Sequence, residues 1–158
     1  MNFLEQLAAE WYEYKGYFVR TNIKYGKNSK GRGGHSGEID VAAYNPKTKK
    51  LIHIECSTEA STKEKLDPKF QKKFSTAREN YDKVFTFSHK EIERIAIVGF
   101  HKPKSKLNFG SDVKIFLIPE FIKEITDELK NKSPMQDAIP ESYPLLRAIQ
   151  YSSFLSKK

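Results

Sequence analysis

The sequence predicts an α/β fold in which helices pack on a mixed sheet of about five strands. Two observations support this prediction. Apolar residues recur every three to four positions in some segments, whereas they alternate or run together in others. These segments follow the order helix, strand, strand, strand, helix, strand, strand, helix. A chain of 158 residues is long enough for one such layered domain with a sizeable core.

The first three elements are indicated by apolar spacing and by glycine. Residues 3–15 predict a helix, because apolar side chains repeat there at helical spacing and Gly16 follows. Residues 17–23 are rich in strand-forming side chains. Residues 24–37 (KYGKNSKGRGGHSG) predict a glycine- and lysine-rich loop. This loop lacks the Gly-Lys-Ser/Thr of a phosphate-binding P-loop.

The rest of the chain alternates strands and helices. The next predicted elements are a hairpin of strands 38–45 and 51–57, a helix over 63–87 with 84–87 as helix tail or short strand, a strand over 92–100, a loop over 101–112, a strand over 113–118, and a helix from Pro119 to about Leu129. We therefore expect an α/β domain over 1–131. The C-terminal tail, 132–158, contains a short helix near 145–154 and is expected to pack on the same domain.

The composition favours a cytoplasmic protein that binds nucleic acid. The chain has no run of eighteen apolar residues, and its N-terminus lacks an apolar signal core. The single cysteine, Cys56, excludes an intramolecular disulfide and a zinc site built on several thiolates. The net charge is +8, and five basic residues but no acid lie between Arg20 and Gly37. Such a patch is typical of a protein that binds a phosphate backbone, although a solvated basic surface is the alternative.

Two acids in the predicted hairpin suggest a metal site. Asp40 lies between apolar residues of the first strand, and Glu55 lies in an apolar run of the second. An acid buried in a strand costs several kcal/mol unless it is paired, exposed or bound to a cation. Two acids on adjacent strands would repel each other, and Mg²⁺ or Mn²⁺ would relieve that repulsion. The alternative is that Asp40 lies at a solvated strand end and Glu55 pairs with a lysine.

Three motifs in this order resemble the PD-(D/E)XK nucleases, which have the restriction-endonuclease-like fold and include Holliday-junction resolvases, Mrr-type restriction enzymes and RecB-type nuclease domains. The first is a helical glutamate, Glu5, followed by small and apolar residues and then Gly16-Tyr17. The second is Gly37-Glu-Ile-Asp40. The third is Glu55-Cys-Ser57, in the place of the family's Glu-X-Lys motif.

The resemblance implies a metal-dependent DNA endonuclease of the restriction or repair and recombination type. Asp40 and Glu55 would be metal ligands, with the backbone carbonyl of Cys56 as a further one, and Glu5 would help to hold the metal through water. We expect the DNA backbone to be bound by four residues of the glycine-rich loop, namely Lys27, Lys30, Arg32 and His35.

The sequence departs from the family at the third motif, where Ser57 replaces the lysine. A serine hydroxyl can hydrogen-bond a water, but it supplies no positive charge. Either a lysine of the following helix takes this place, for which Lys69, Lys72 and Lys73 are the candidates, or the site no longer cuts DNA.

Two alternatives to an active nuclease remain open at this point. One is a catalytically inactive nucleic-acid-binding module on the same fold. The other is an interaction subunit of a restriction or repair complex. The sequence also leaves open whether the protein forms a homodimer, and it predicts no membrane partner.

Overall fold

The structure is a computed structural model that describes residues 1–27, 34–100 and 102–156. Its helices and strands are, in chain order, α1 (Phe3–Tyr14), β1 (Phe18–Tyr25), β2 (Gly37–Asn45), β3 (Lys50–Ser57), α2 (Lys63–Arg78), α3 (Tyr81–Val84), β4 (Ile92–Val98), β5 (Val113–Leu117), α4 (Ile118–Leu129) and α5 (Pro144–Leu155). A short 3-10 turn, Lys104–Lys106, lies between β4 and β5.

The five strands form one mixed sheet in the order β1-β2-β3-β4-β5. The first three strands pair antiparallel, and β3, β4 and β5 pair parallel. The antiparallel strands β2 and β3 need only a tight turn, whereas the parallel step from β3 to β4 needs a crossover, which α2 and α3 provide. The predicted class, an α/β fold with a mixed five-stranded sheet flanked by helices, is confirmed.

Helices cover both faces of the sheet. On one face, α1, α4 and α5 pack against alternate residues of the central strands, among them Val41, Ile54 and Ile97. On the other face, α2 packs through Leu66, Phe70 and Phe74, and α3 contributes Tyr81. Side chains alternate along β3 as in a regular strand, and Ile52, Ile54 and Cys56 all face the first of these layers.

The predicted helix over 63–87 is wrong at its C-terminal end. Helix α2 stops at Arg78, and α3 is a separate turn. The side-chain amide of Asn80 donates to the Thr76 carbonyl at 2.9 Å, and so it competes with the backbone for a helical acceptor. Residues 85–87 form neither helix nor strand.

The C-terminal tail packs on α1 and α4 through Ile139 and Leu146. Its helix is anchored by Glu10 of α1, whose carboxylate accepts the Leu145 and Leu146 backbone N–H groups at 2.9 and 3.1 Å. An anion at a helix N-terminus satisfies unpaired donors there and opposes the helix dipole. This contact explains why α1 buries a glutamate.

None of the helices in the described ranges combines the length and the apolar character that are needed to cross a bilayer.

Candidate metal and nucleic-acid site

The hairpin brings the two acids of the second and third motifs together. The β2–β3 ladder pairs Val41 with Ile54, and this is the last registered pair toward Asp40. Beyond it, the Cys56 backbone N–H donates to Asp40 Oδ2 at 2.8 Å, so a side-chain oxygen replaces the backbone acceptor. The Asp40 carboxylate consequently lies across β3, beside Glu55.

Lys73 of α2 bridges both carboxylates. Its Nζ lies 3.0 and 3.1 Å from the two Asp40 oxygens, and it also donates to Glu55 Oε2. The Lys73 side chain is 30% exposed, whereas those of Asp40 and Glu55 are 9% and 0% exposed. We call these three residues the Asp40–Glu55–Lys73 triad. It joins three elements at the point where α2 crosses the hairpin.

The triad sets one ammonium against two buried carboxyl groups. Burial raises the pKa of Asp40 to about 6, with the neighbouring Glu55 adding to the increase. Burial also raises the pKa of Glu55, against the opposing effect of Lys73. For Lys73, burial alone would lower the pKa, but the two carboxylates outweigh it and hold the pKa of the ammonium above its usual value. One ammonium carries a single positive charge, so it compensates at most one of the two carboxyl groups when both are ionised.

A buried hydrogen-bond chain holds Glu55 from behind. His53 Nε2 lies 2.7 Å from Glu55 Oε1, and His53 Nδ1 lies 2.6 Å from the Tyr81 hydroxyl. Burial lowers the pKa of His53 to about 3, so the imidazole is neutral. Burial raises the pKa of Tyr81 to about 12, so the phenol keeps its proton. Tyr81 therefore donates to Nδ1, and Nε2–H donates to Glu55.

The three candidate lysines of α2 have different partners. Lys69 pairs with Glu59 at 2.9 Å on the surface. Lys72 is exposed and lines a groove that opens on Asp40. Lys73, by contrast, contacts both acids. Of the three, Lys73 is therefore the one that the structure brings to both acids.

The other residues of the third motif are buried. Ser57 is 4% exposed, and its Oγ accepts the Glu59 backbone N–H at 3.4 Å. Cys56 is 6% exposed and belongs to the core on the face opposite α2. Burial raises the pKa of the Cys56 thiol well above its usual value, which leaves it a core residue and not a nucleophile.

The structure places Glu5 in a helix cap. Its Oε2 accepts the Asn2 backbone N–H at 3.0 Å, and the Asn2 side chain caps the Leu4 and Glu5 N–H groups in return. The charge of Glu5 contributes to the raised pKa of Cys56, so it acts on the same region of the sheet. Among the described residues, no group of three or more His, Cys, Asp or Glu side chains is arranged to hold a metal ion. Asp40 and Glu55 are two acids that lie close enough to share one hydrogen-bond donor, Lys73.

A groove of about 420 Å³ leads to the triad. Its walls include Lys69 and Lys72 of α2, and Tyr25 of β1. Gly37 permits this arrangement, because a side chain at that position would meet the Tyr25 ring within 3 Å. The glycine of the second motif thus has a packing reason.

Two of the predicted DNA-binding residues, Lys27 and His35, are exposed. The other two, Lys30 and Arg32, lie outside the described residues.

His53 and Tyr81 lie outside the three motifs that the sequence offers. His53 shares the face of Glu55 by strand alternation, which is a usable signal. Tyr81 lies 28 residues further along the chain, and no spacing rule connects the two.

Comparisons with known proteins give little further information. No protein-family model matches the chain, and no curated protein sequence matches it. A solved structure described as a protein of unknown function, AF1548, is 15% identical with a TM-score of 0.44, and the match covers 98% of this chain and 96% of that chain. A likeness at this level carries no argument about function, and the fold class stands on the sheet described above.

Proposed function

We propose that this chain is a metal-dependent DNA endonuclease of the restriction or repair and recombination type, with a restriction-endonuclease-like fold. The observation that carries the proposal is the Asp40–Glu55–Lys73 triad at the end of a groove with basic walls. Its two acids come from the two motifs that resemble the PD-(D/E)XK nucleases. Its lysine supplies the charge that Ser57 does not.

The donor set fits Mg²⁺ or Mn²⁺. Asp40 and Glu55 offer adjacent carboxylate oxygens, which are the ligands that these hard cations prefer. Burial raises the pKa of both groups, and a bound cation would stabilise their charged forms. The resemblance adds the Cys56 carbonyl and Glu5, but Glu5 is occupied in its helix cap. The metal site therefore depends chiefly on the first two acids.

When bound, the metal supplies Lewis-acid polarisation of a phosphodiester and activation of water. Lys73 is placed to stabilise charge on the phosphate, since a preorganised ammonium in a partly buried site acts more strongly than one in water. His53 holds Glu55 in one orientation through a buried hydrogen bond. Lys69 and Lys72 in the groove would contact the DNA backbone. The resemblance implies a 5′-phosphate product.

A second candidate is a nucleic-acid-binding module that does not cut. It is favoured by one observation, namely that Lys73 already occupies both carboxylates and partly compensates their charge. On this reading the triad is a buried ion network that fixes α2 on the hairpin. DNA binding would then need the groove lined by Lys69 and Lys72 but no metal.

A plasmid-nicking assay separates the two candidates. Supercoiled DNA is incubated with the full chain and Mg²⁺ or Mn²⁺. We expect wild type to nick it and Asp40→Asn and Glu55→Gln to lose at least about 100-fold in rate. Glu59→Gln, which changes an exposed acid on the same side, is the matched control and keeps its rate. Binding without nicking by wild type would favour the second candidate, and nicking by Asp40→Asn at the wild-type rate would remove the site from the reaction.

The lysine assignment is tested in the same assay. Lys73→Gln should lose most of the kcat, whereas Lys69→Gln should weaken DNA binding but keep most of the kcat, because only Lys73 contacts the acids. Equal losses in the two variants would contradict the assignment.

A further inference from the structure

An open pocket with aromatic walls lies beyond the triad, between β1, β2 and the segment that follows α3. It has a volume of about 170 Å³. Phe18 and Phe87 line it and are 71% and 44% exposed. The rings of Tyr44 and Phe87 lie 4.6 Å apart, and the Tyr44 hydroxyl donates to the Ser88 carbonyl at 2.9 Å, which fixes the ring. The pocket is smaller than a typical small-molecule site and fits one planar ring system.

A basic groove of about 350 Å³ adjoins this pocket. It is lined by three cations, namely Arg20, Lys24 and Lys83, and neither cavity has an acidic side chain in its walls. Within the part of the chain that the structure describes, these three cations form no ion pair with an acid. Unpaired positive charge beside exposed rings complements a polyanion that also carries aromatic groups.

The two cavities and the groove at the triad share lining residues. Arg20 and Val84 line both the aromatic pocket and the basic groove, and Tyr25 lines both the basic groove and the groove that holds Lys73. Strand β1 runs along this path from Phe18 to Tyr25, a length of roughly 23 Å at the usual rise per residue. About seven stacked nucleotides span that distance, and fewer are needed when the nucleic-acid strand is extended.

We propose that this path binds an unpaired strand of nucleic acid next to the triad, with one nucleobase in the aromatic pocket and the phosphates on the basic groove. Proteins that bind single strands commonly combine a basic groove with aromatic rings on which the bases stack. A paired base inside a duplex has both faces covered by its neighbours, so the aromatic pocket selects an unpaired overhang, a flap or a junction over a blunt duplex. The inference rests on the proposed function in that the ligand is nucleic acid, but it does not require cleavage.

The test is binding measured by fluorescence anisotropy with the full chain in EDTA, using a labelled 12-nucleotide single strand and the matching duplex. Phe18→Ala should weaken single-strand binding about 5- to 100-fold and leave duplex binding unchanged, because Phe18 contacts only an unstacked base. Phe18→Trp, which keeps a stacking surface, should bind the single strand at least as well as wild type. Tyr151→Ala changes an exposed aromatic residue of α5 and serves as the matched control without effect.

The basic groove is tested by Arg20→Gln, which should weaken both forms of DNA and reduce the salt dependence by about one phosphate contact. Three outcomes overturn the inference: unchanged single-strand affinity in Phe18→Ala, an equal loss for duplex, or no nucleic-acid binding by wild type, which would leave the pocket to an apolar protein segment. Loss of single-strand binding in Phe18→Ala without any nicking by wild type would support the path and reject the nuclease. Nicking by wild type together with unchanged single-strand binding by Phe18→Ala would support the nuclease and reject the path.

Discussion

Replacing Lys73 by methionine removes the ammonium from the triad and keeps most of the aliphatic stem. Two buried carboxylates then face each other, with Glu55 0% and Asp40 9% exposed at the side chain. Removing one partner of a buried ion pair typically costs about 3–5 kcal/mol, because the other charge is left uncompensated. The Cys56 N–H and the His53 ring still donate to the acids, and Lys73 is partly exposed, so we expect the lower end of that range, about 3 kcal/mol.

The loss should depend on pH in metal-free buffer. Lys73 lowers the pKa of both acids, so without it both carboxyl groups titrate at still higher pH in the folded state. A carboxyl group with a raised folded pKa favours folding below its unfolded pKa, and that contribution is lost as the pH rises through the folded pKa. The wild-type pKa of Asp40 is already about 6. The deficit of Lys73→Met should therefore be largest near pH 8 and shrink as the pH falls toward 5.

Urea unfolding and thermal melts of Lys73→Met measure this deficit directly. For a chain of 158 residues, about 3 kcal/mol corresponds to a Tm roughly 6–12 °C lower. Lys69→Met is the matched control, because its partner Glu59 is 63% exposed, and exposed pairs contribute less than about 1 kcal/mol. Mn²⁺ should raise the Tm of Lys73→Met more than that of wild type, since the ammonium no longer competes for the acids. A deficit below about 1 kcal/mol that is the same at pH 5 and pH 8 would refute the reasoning.

Substitutions at three further positions test contacts around the site and its supporting helices. Glu10→Ala removes the acceptor for two N–H groups at the start of α5 and should cost about 1–3 kcal/mol in urea unfolding; an unchanged midpoint would mean that the tail is not anchored there. Glu5→Gln keeps the capping-box acceptor and loses only the charge at the helix N-terminus, so it should cost less than about 1 kcal/mol. Nicking should fall less than in Asp40→Asn, and an equal fall would favour Glu5 as a metal ligand. His53→Phe should lower kcat with little change in KM, because Glu55 Oε1 loses its donor. His53→Gln should recover part of the rate. No recovery would indicate a purely structural role for His53.

The features that the sequence could predict are those decided by local spacing. Alternation along the hairpin places Asp40 and Glu55 within reach of each other, because both strands must bury their other face. Helix α4 begins where expected, since Pro119 lies in its first turn and the Glu120 carboxylate accepts the Leu117 N–H at 3.0 Å. These elements need only neighbours in the chain.

The features that the sequence could not predict depend on how α2 and α3 pack. Lys73 is distinguished from Lys69 and Lys72 by the rotation of α2 on the sheet, which the buried Phe70 and Phe74 determine. The sequence does contain a signal for this choice, because Lys73 lies three residues after Phe70 and directly before Phe74. The position of Tyr81 beside His53 depends on where α2 ends, and the sequence predicts the ends of helices only approximately.

The resemblance predicts a role for Glu5 that its local hydrogen bonds do not require. A glutamate three residues after Asn2 forms a capping box in its own right. That residue type is therefore explained by helix formation alone. The pairing of Asp40 and Glu55 has no such local explanation, and this is why the proposal depends on it.

The most direct test of the proposed metal site is a crystal structure of the full chain grown with Mn²⁺, with anomalous data collected. The account predicts one anomalous peak in contact with carboxylate oxygens of both Asp40 and Glu55, with the Lys73 ammonium moved off at least one of them. Saturating Mn²⁺ that leaves no peak between the two acids, with Lys73 still bridging them, would contradict the account.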